Sequence, residues 1–151
     1  MNEPRAMTEL ECRRLLAAGG VGRVAFNAPD GPHIVPVNYA VVADTVIFRT
    51  TPFSLLGTVG WGHRLAFEVD HVDHERWRGW SVVAAGPAEL VENEEELSVI
   101  RTFWDPKPYA GGERLLYIRL PWDKLTGRQI GSGWYPTDEP PVRRTLGTSP
   151  R

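Results

Sequence analysis

The stretch Arg49-Thr50-Thr51-Pro52-Phe53-Ser54 gathers one guanidinium and three hydroxyls within six residues. That combination suits an anion. The guanidinium supplies a fixed charge with bidentate geometry, and hydroxyls donate hydrogen bonds to anionic oxygens. Thr51 followed by Pro52 reads as an N-cap with proline at the first helical position. A helix start would add unpaired backbone N–H groups and the positive end of a dipole. The cluster therefore points to a phosphate-like ligand. Ordinary capping by Thr51 beside a surface arginine is the alternative.

Upstream, Pro36 interrupts an apolar run and is followed by Val37-Asn38-Tyr39. Proline cannot donate to a β-ladder, so it belongs at an edge, at a bulge or where a sheet opens. At an opening, the backbone that follows it is free to meet a planar ring; a simple edge strand is the alternative. Trp80-Ser81 begins a later apolar run and reads either as a pocket wall with a donor or as core tryptophan with an exposed serine.

The remaining candidates carry less. His71-Val72-Asp73-His74 beside Asp70 has metal-ligating residue types, but the spacing matches no helical ligand pair and the segment reads as a charged loop, so no metal is expected. There is no G-x-S-x-G, phosphate-loop lysine motif or G-x-G-x-x-G, and no catalytic residue is assigned. The single cysteine, Cys12, excludes an intramolecular disulfide, fits a reducing compartment and reads as a small apolar helix residue.

The elements that must position these groups can be taken in order. Thr8 and Glu11 fit a capping box before a short helix whose apolar stripe is Leu10, Leu15 and Leu16, stopped at Gly19-Gly20. Strands follow at 21–26, 33–42 and 45–50, joined by Pro29-Asp30-Gly31 and by Ala43-Asp44. A short helix from Thr51 buries Leu55, Leu56 and Val59. Residues 64–72 alternate as a half-buried strand, 71–79 read as a loop, and 80–91 as one long strand bent at Gly86-Pro87. Asn93 caps a second helix with Phe103 or Trp104 on its inner side, a loop spans 105–112, and strands close the domain at 115–120 and 125–130. At least six mostly antiparallel strands around so small a core favour a barrel. Residues 1–133 read as one domain. Residues 134–151 read as a Pro-rich tail, disordered or packed on a partner subunit.

Composition is that of an ordinary globular chain, and a net charge of -2 leaves no basic field for nucleic acid. Six tryptophans exceed what a small core uses, so an interface or pocket is expected to take some. The N-terminal residues MNEPRAMTELE show no apolar targeting segment, and no run approaches membrane-spanning length; a cytoplasmic protein without membrane association is expected.

The segments GRVAF, PVNYAV, VIFRTTPFS, LAFEVD, GWSVVAAG and TGR occur in an order that resembles the pyridoxamine 5'-phosphate oxidase-like, FMN-binding split-barrel family, in particular its small bacterial, nitroimidazole-resistance-type members. The resemblance spans roughly residues 8–130. It implies a mainly β, six-stranded antiparallel split barrel acting as a homodimer, with cofactor clefts at the subunit interface. It also implies an FMN-dependent oxidoreductase acting on a small molecule. Carried onto this chain, the ring-contacting segment is Pro36, Val37, Asn38 and Tyr39; the phosphate segment is Phe48, Arg49, Thr50, Thr51 and Ser54; Trp80 and Ser81 lie near the ribityl chain and ring. Relatives commonly carry glycine, serine and lysine where this chain has Phe53, Ser54 and Leu55, so one phosphate-neutralising cation is missing. That departure opens two alternatives: a different cofactor such as the deazaflavin F420, or a non-catalytic flavin-, deazaflavin- or haem-binding carrier or sensor. A dimeric module with a decayed site is a third.

Overall fold

The computed structural model describes residues 3–103 and 115–138. The chain begins with β1 (Arg5–Ala6) and α1 (Glu9–Leu16), followed by the meander β2 (Gly20–Ala28), β3 (Gly31–Val42) and β4 (Thr45–Thr50). Next come α2 (Leu55–Val59), β5 (Arg64–Asp73), β6 (Arg78–Pro87), β7 (Glu89–Leu90), α3 (Glu94–Phe103), β8 (Leu116–Pro121) and β9 (Lys124–Ile130). One antiparallel sheet runs in the order β1-β9-β6-β5-β2-β3-β4-β8-β7. It curls on itself as a split barrel, with β6 and β8 approaching but sharing no ladder among the described residues. The count is nine strands rather than six. Two of the additions, β1 and β7, are two-residue edge pieces that no hydrophobic period could announce.

The hairpins form where turn chemistry demands. Ala43 and Asp44 both hold positive φ, 43° and 59°, as a two-residue hairpin between right-twisted strands requires. Inside the curl, Val24, Phe26, Phe48, Phe67, Val82 and Leu120 form the core. Gly22 permits this packing: a Cβ there would fall 2.0 Å from the Phe67 ring. The capping box at Thr8 forms, with Glu11 accepting from the Thr8 N–H at 2.7 Å. Helix α1 then closes one end of the barrel through Cys12, Leu15 and Leu16, all fully buried. A second core lies outside the barrel, where Leu97 and Ile100 of α3 cover Ile47 and Tyr117 of β4 and β8.

Several expectations are corrected. Leu10 is 57% exposed and takes no part in the stripe of α1, because Cys12 fills the inward position instead. Residues 71–79 are not a loop: β5 continues to Asp73 and pairs with Arg78, and the Asp73 carboxylate accepts the N–H groups of Glu75 and Arg76 to tighten the turn. The strand expected over 80–91 ends at Pro87, and Glu89–Leu90 crosses to pair with β8. The tail does not start free at 134. The buried Gln129 amide donates to the Trp134 carbonyl at 2.7 Å, the Arg78 guanidinium lies 4.5 Å above the Trp134 ring, and Pro136 is buried in a 3-10 turn beside α1. Residues 139–151, the 105–112 loop and the inward role of Phe103 or Trp104 lie outside the described residues and side chains. Among the described residues no helix is long and apolar enough to cross a membrane.

Phe67→Ala should cost about 3–5 kcal/mol in chemical denaturation, as expected for a fully buried aromatic. The Arg5 guanidinium and the Thr8 N–H hold the Glu11 carboxyl below its ordinary range. A lowered carboxylate stabilises the fold above the unfolded value near 4.5 and loses that contribution as pH falls through the lower folded value. The stability gap between wild type and Glu11→Gln should therefore be widest at neutral pH and close at acid pH, as read by denaturant midpoints across a pH series.

Candidate functional site

Strand β4 serves two neighbours unequally. It pairs with β8 along its whole length, Thr45 to Thr50, but with β3 only over Tyr39–Val42. Residues 31–38 of β3 therefore pair with β2 on one side and have no ladder partner on the other among the described strands. Pro36 sits in this opened stretch, where a missing N–H costs the sheet least.

A cleft of about 410 Å³ occupies the opening. It is lined by Pro36, Val37 and Asn38 from β3, by Arg49, Thr50, Thr51 and Ser54 from the end of β4 and the loop after it, and by Leu55 and Leu56 from α2. Seven residues singled out in the sequence thus come together. The other four do not line this cleft. Tyr39 is core: burial pushes its phenol pKa upward, its hydroxyl donates to the Leu16 carbonyl at 2.8 Å, and its ring packs on Phe67. Phe48 and Trp80 are buried in the barrel interior, because alternation along β4 and β6 turns them inward. Ser81 is half-buried on β6, paired with Asp70 and Arg128.

The hydroxyl cluster is also arranged differently from the expectation. The helix does not start at Thr51-Pro52. Ser54 is the N-cap, its Oγ accepting from the Gly57 N–H at 3.0 Å, and α2 is only five residues long. Leu55 is 42% exposed rather than buried, since the delayed start rotates it outward. Ser54 Oγ also lies 2.8 Å from the Thr51 carbonyl and 2.7 Å from Thr50 Oγ1. One proton arrangement satisfies all three contacts: Thr50 donates to Ser54, and Ser54 donates to the Thr51 carbonyl. Ser54 then shapes the loop and has no proton left for a ligand. The anion-facing set reduces to the Arg49 guanidinium, whose Nη1 is shielded from solvent, with the Thr51 hydroxyl and the acceptor face of Thr50. Gly57 makes this turn possible by close approach: a Cβ would stand 2.1 Å from the Thr51 oxygen.

Sequence reasoning missed Phe26, His33, Val35 and Leu115 in the lining. His33, Val35 and Val37 share one face of β3 by simple alternation, a pattern present in the sequence but masked by the proline. His33 stacks on Phe26 with ring centroids 5.5 Å apart, and its Nε2 meets Asp30 Oδ1 at 2.7 Å. It is the titratable group, besides Arg49, among the described lining residues. Among all described residues, no three His, Cys, Asp or Glu side chains converge as a metal site.

Residues 8–129 match the family model described as pyridoxamine 5'-phosphate oxidase. An uncharacterized protein of Mycobacterium tuberculosis is 38% identical over 93 residues, which cover 58% of this chain and 61% of that relative's length. The solved structure of the FAD binding protein from Mycobacterium smegmatis superposes with a TM-score of 0.69 at 29% identity, covering 83% of this chain and 97% of that one. A conserved protein of unknown function from Corynebacterium diphtheriae gives a TM-score of 0.72 at 27% identity, over 85% of this chain and 98% of that one.

Ser54→Ala removes the cap and the loop bonds and should destabilise the protein by about 1 kcal/mol, while Thr51→Ala should stay within about 0.5 kcal/mol. Thermal or denaturant unfolding of the two variants separates the shaping hydroxyl from the ligand-facing one.

Proposed function

This chain belongs to the pyridoxamine 5'-phosphate oxidase family, and on that premise we propose that it is a flavoprotein, an oxidoreductase that holds a flavin in the cleft between β3 and β4 and acts on a small molecule. The single observation that carries the reading is the convergence of the opened β3 edge with Arg49 and Thr51 in one cleft. The donor set suits the group. Arg49 would take a phosphate, and exposed Asn38 with the unpaired backbone around it would meet the polar edge of the ring. Val35, Val37 and Leu56 offer the apolar wall that a flat ring system needs. The ring supplies the redox chemistry when bound. The protein's part is to orient it, exclude water along the apolar wall and hold a proton nearby at His33, which Asp30 steadies through Nε2.

We further propose a homodimer. The outward face of the sheet carries a row Ile34–Ala25–Ala66–Ala85 across β3, β2, β5 and β6, with the ion pairs of Arg23 to Glu68 and Asp70 beside it and Val21 beyond them. Ile34, 70% exposed, and the alanine row form an apolar strip that a second copy would cover, with the charges of Arg23, Glu68 and Asp70 at its edge. Ser81, on this outward side of β6, would meet a ligand only across such a contact. A flavin-holding carrier or sensor is the second reading; it is favoured by the absence of any acid or base among the described lining residues other than His33.

Purified protein should bind flavin, seen as a shifted visible spectrum on titration. Arg49→Leu should weaken binding tenfold or more, matching the roughly 1.5–3 kcal/mol of a charge-assisted hydrogen bond. A chain that takes up no flavin refutes the proposal, and a coloured chain that no nicotinamide donor reduces is the carrier. Sedimentation should show a dimer that Ile34→Asp dissociates.

A further inference from the structure

We propose that the outward face closes on a second copy about a two-fold axis lying between β2 and β5, and that this closure takes up one proton per copy into the Glu68–Asp70 carboxylate pair. The inference rests on the homodimer reading above and adds to it a geometry and a dependence on pH.

The apolar strip sets the axis. Ile34, Ala25, Ala66 and Ala85 stand level on four neighbouring strands, β3, β2, β5 and β6. The midpoint of the strip lies between Ala25 and Ala66. A two-fold contact repeats each of its pairings in reverse. An axis at the midpoint, parallel to the strands, therefore sets Ala25 on the partner's Ala66 and Ile34 on the partner's Ala85. An axis further along the sheet leaves one end of the strip in water.

The charges beside the strip follow from the same rotation. Two residues further along the strands, on the same face, the level pair on β2 and β5 is Arg23 and Glu68. Arg23 then stands opposite the partner's Glu68, and Glu68 opposite the partner's Arg23. Packed sheets lie about 10 Å apart, within the combined reach of an arginine and a glutamate. With Asp70 one step further on β5, four carboxylates and two guanidiniums gather around the axis.

Their balance calls for a proton. Within one copy a single nitrogen, Arg23 Nη1, serves both carboxylates, 3.4 Å from Glu68 Oε1 and 3.2 Å from Asp70 Oδ1. On the other side of Glu68, β6 presents Val83; Lys124 and Arg128 are on β9, two strands from β5, and Arg64 of β5 is engaged by Asp123. One guanidinium for two carboxylates leaves each cluster one negative charge in excess, and the partner brings the same excess. In the free subunit water shields it, since the side chains of Arg23, Glu68 and Asp70 are 49%, 33% and 35% exposed. Closure removes that water, and an unbalanced buried charge is costly. A proton taken from solvent onto Glu68, and donated from there in a hydrogen bond to the Asp70 carboxylate, leaves one carboxylate charge for each guanidinium. The pair already leans this way: partial burial, then the Asp70 charge, hold the Glu68 carboxyl above its ordinary value of 4.5, against the pull of Arg23. An acid whose pKa rises on assembly favours the dimer at low pH, and that contribution is lost as pH climbs through the raised value.

The test is the dimer dissociation constant of the full-length chain, measured by sedimentation from about pH 5 to about pH 8. It should rise with pH, by up to about tenfold per unit for each proton taken up. Glu68→Gln, whose amide donates to Asp70 as the protonated acid does, should give a dimer as tight as wild type at the acid end and nearly independent of pH. Asp70→Asn should flatten the profile in the same way through the other member of the pair. The four histidines titrate in every variant, so the difference between the profiles isolates the carboxylates. A wild-type dimer of constant affinity across the series, or variants that keep the wild-type slope, overturns the inference and leaves the homodimer standing. A chain that stays monomeric at every pH, Glu68→Gln included, overturns the homodimer reading itself.

Discussion

The site depends on a mismatch in strand pairing. Strand β4 keeps β8 as a neighbour for six residues and β3 for only four. Backbone N–H and C=O groups that lose a ladder partner need another, from water, side chains or a ligand. The stretch 31–38 of β3 is long, ordered on its β2 side, and open on the other. A sheet edge at the protein's perimeter usually invites association with another chain. Here the edge is internal, and β4 and α2 fold over it, so it becomes one wall of a cleft instead. Arg49, Thr51 and Asn38 matter because they surround this opening; the same residues along a fully paired strand would be surface decoration.

The positions of the polar residues were legible because their chemistry is local. Pro36 declares an interruption through its own missing donor, and Arg49 to Ser54 crowd polar groups into the end of one strand and the loop after it. The meander was legible for the same reason: Pro29-Asp30 and Ala43-Asp44 specify turns within two residues. The orientation of individual side chains was less so. Tyr39 and Phe48 adjoin the site in sequence, yet alternation sends both inward, where they pack with Phe67 and Val82. Distinguishing the face of a strand that meets a ligand from the face that meets the core requires knowing where the next strand departs. That departure is a long-range property of β8 and β3 together. The strand break at Pro87 was hidden likewise, since Glu89–Leu90 forms a strand only because β8 is there to receive it.

The helix start shows a competition between two local rules. Thr51-Pro52 is a good N-cap pair by residue type, and Ser54 is an equally good cap three residues later. Gly57 decides between them. Its N–H reaches the Ser54 hydroxyl, and its missing Cβ lets the Thr51 carbonyl approach to where a side chain would collide. The delayed start leaves Thr51, Pro52 and Phe53 in the loop after β4 and rotates Leu55 out of the core. Three hydroxyls in sequence are thus not three donors in space, because one hydroxyl is the turn's internal fastener.

That reduction changes what the departure at Leu55 means. Among the described lining residues Arg49 is the one formally charged side chain, two of the three hydroxyl protons are spent within the loop, and Phe53 and Leu55 add exposed apolar surface beside it. An exposed phenylalanine beside a polar cleft gains nothing from water, and it would be easy to replace if nothing ever lay on it. Leu55 and Phe53, both exposed, instead make the rim of the cleft apolar beside the Arg49 guanidinium.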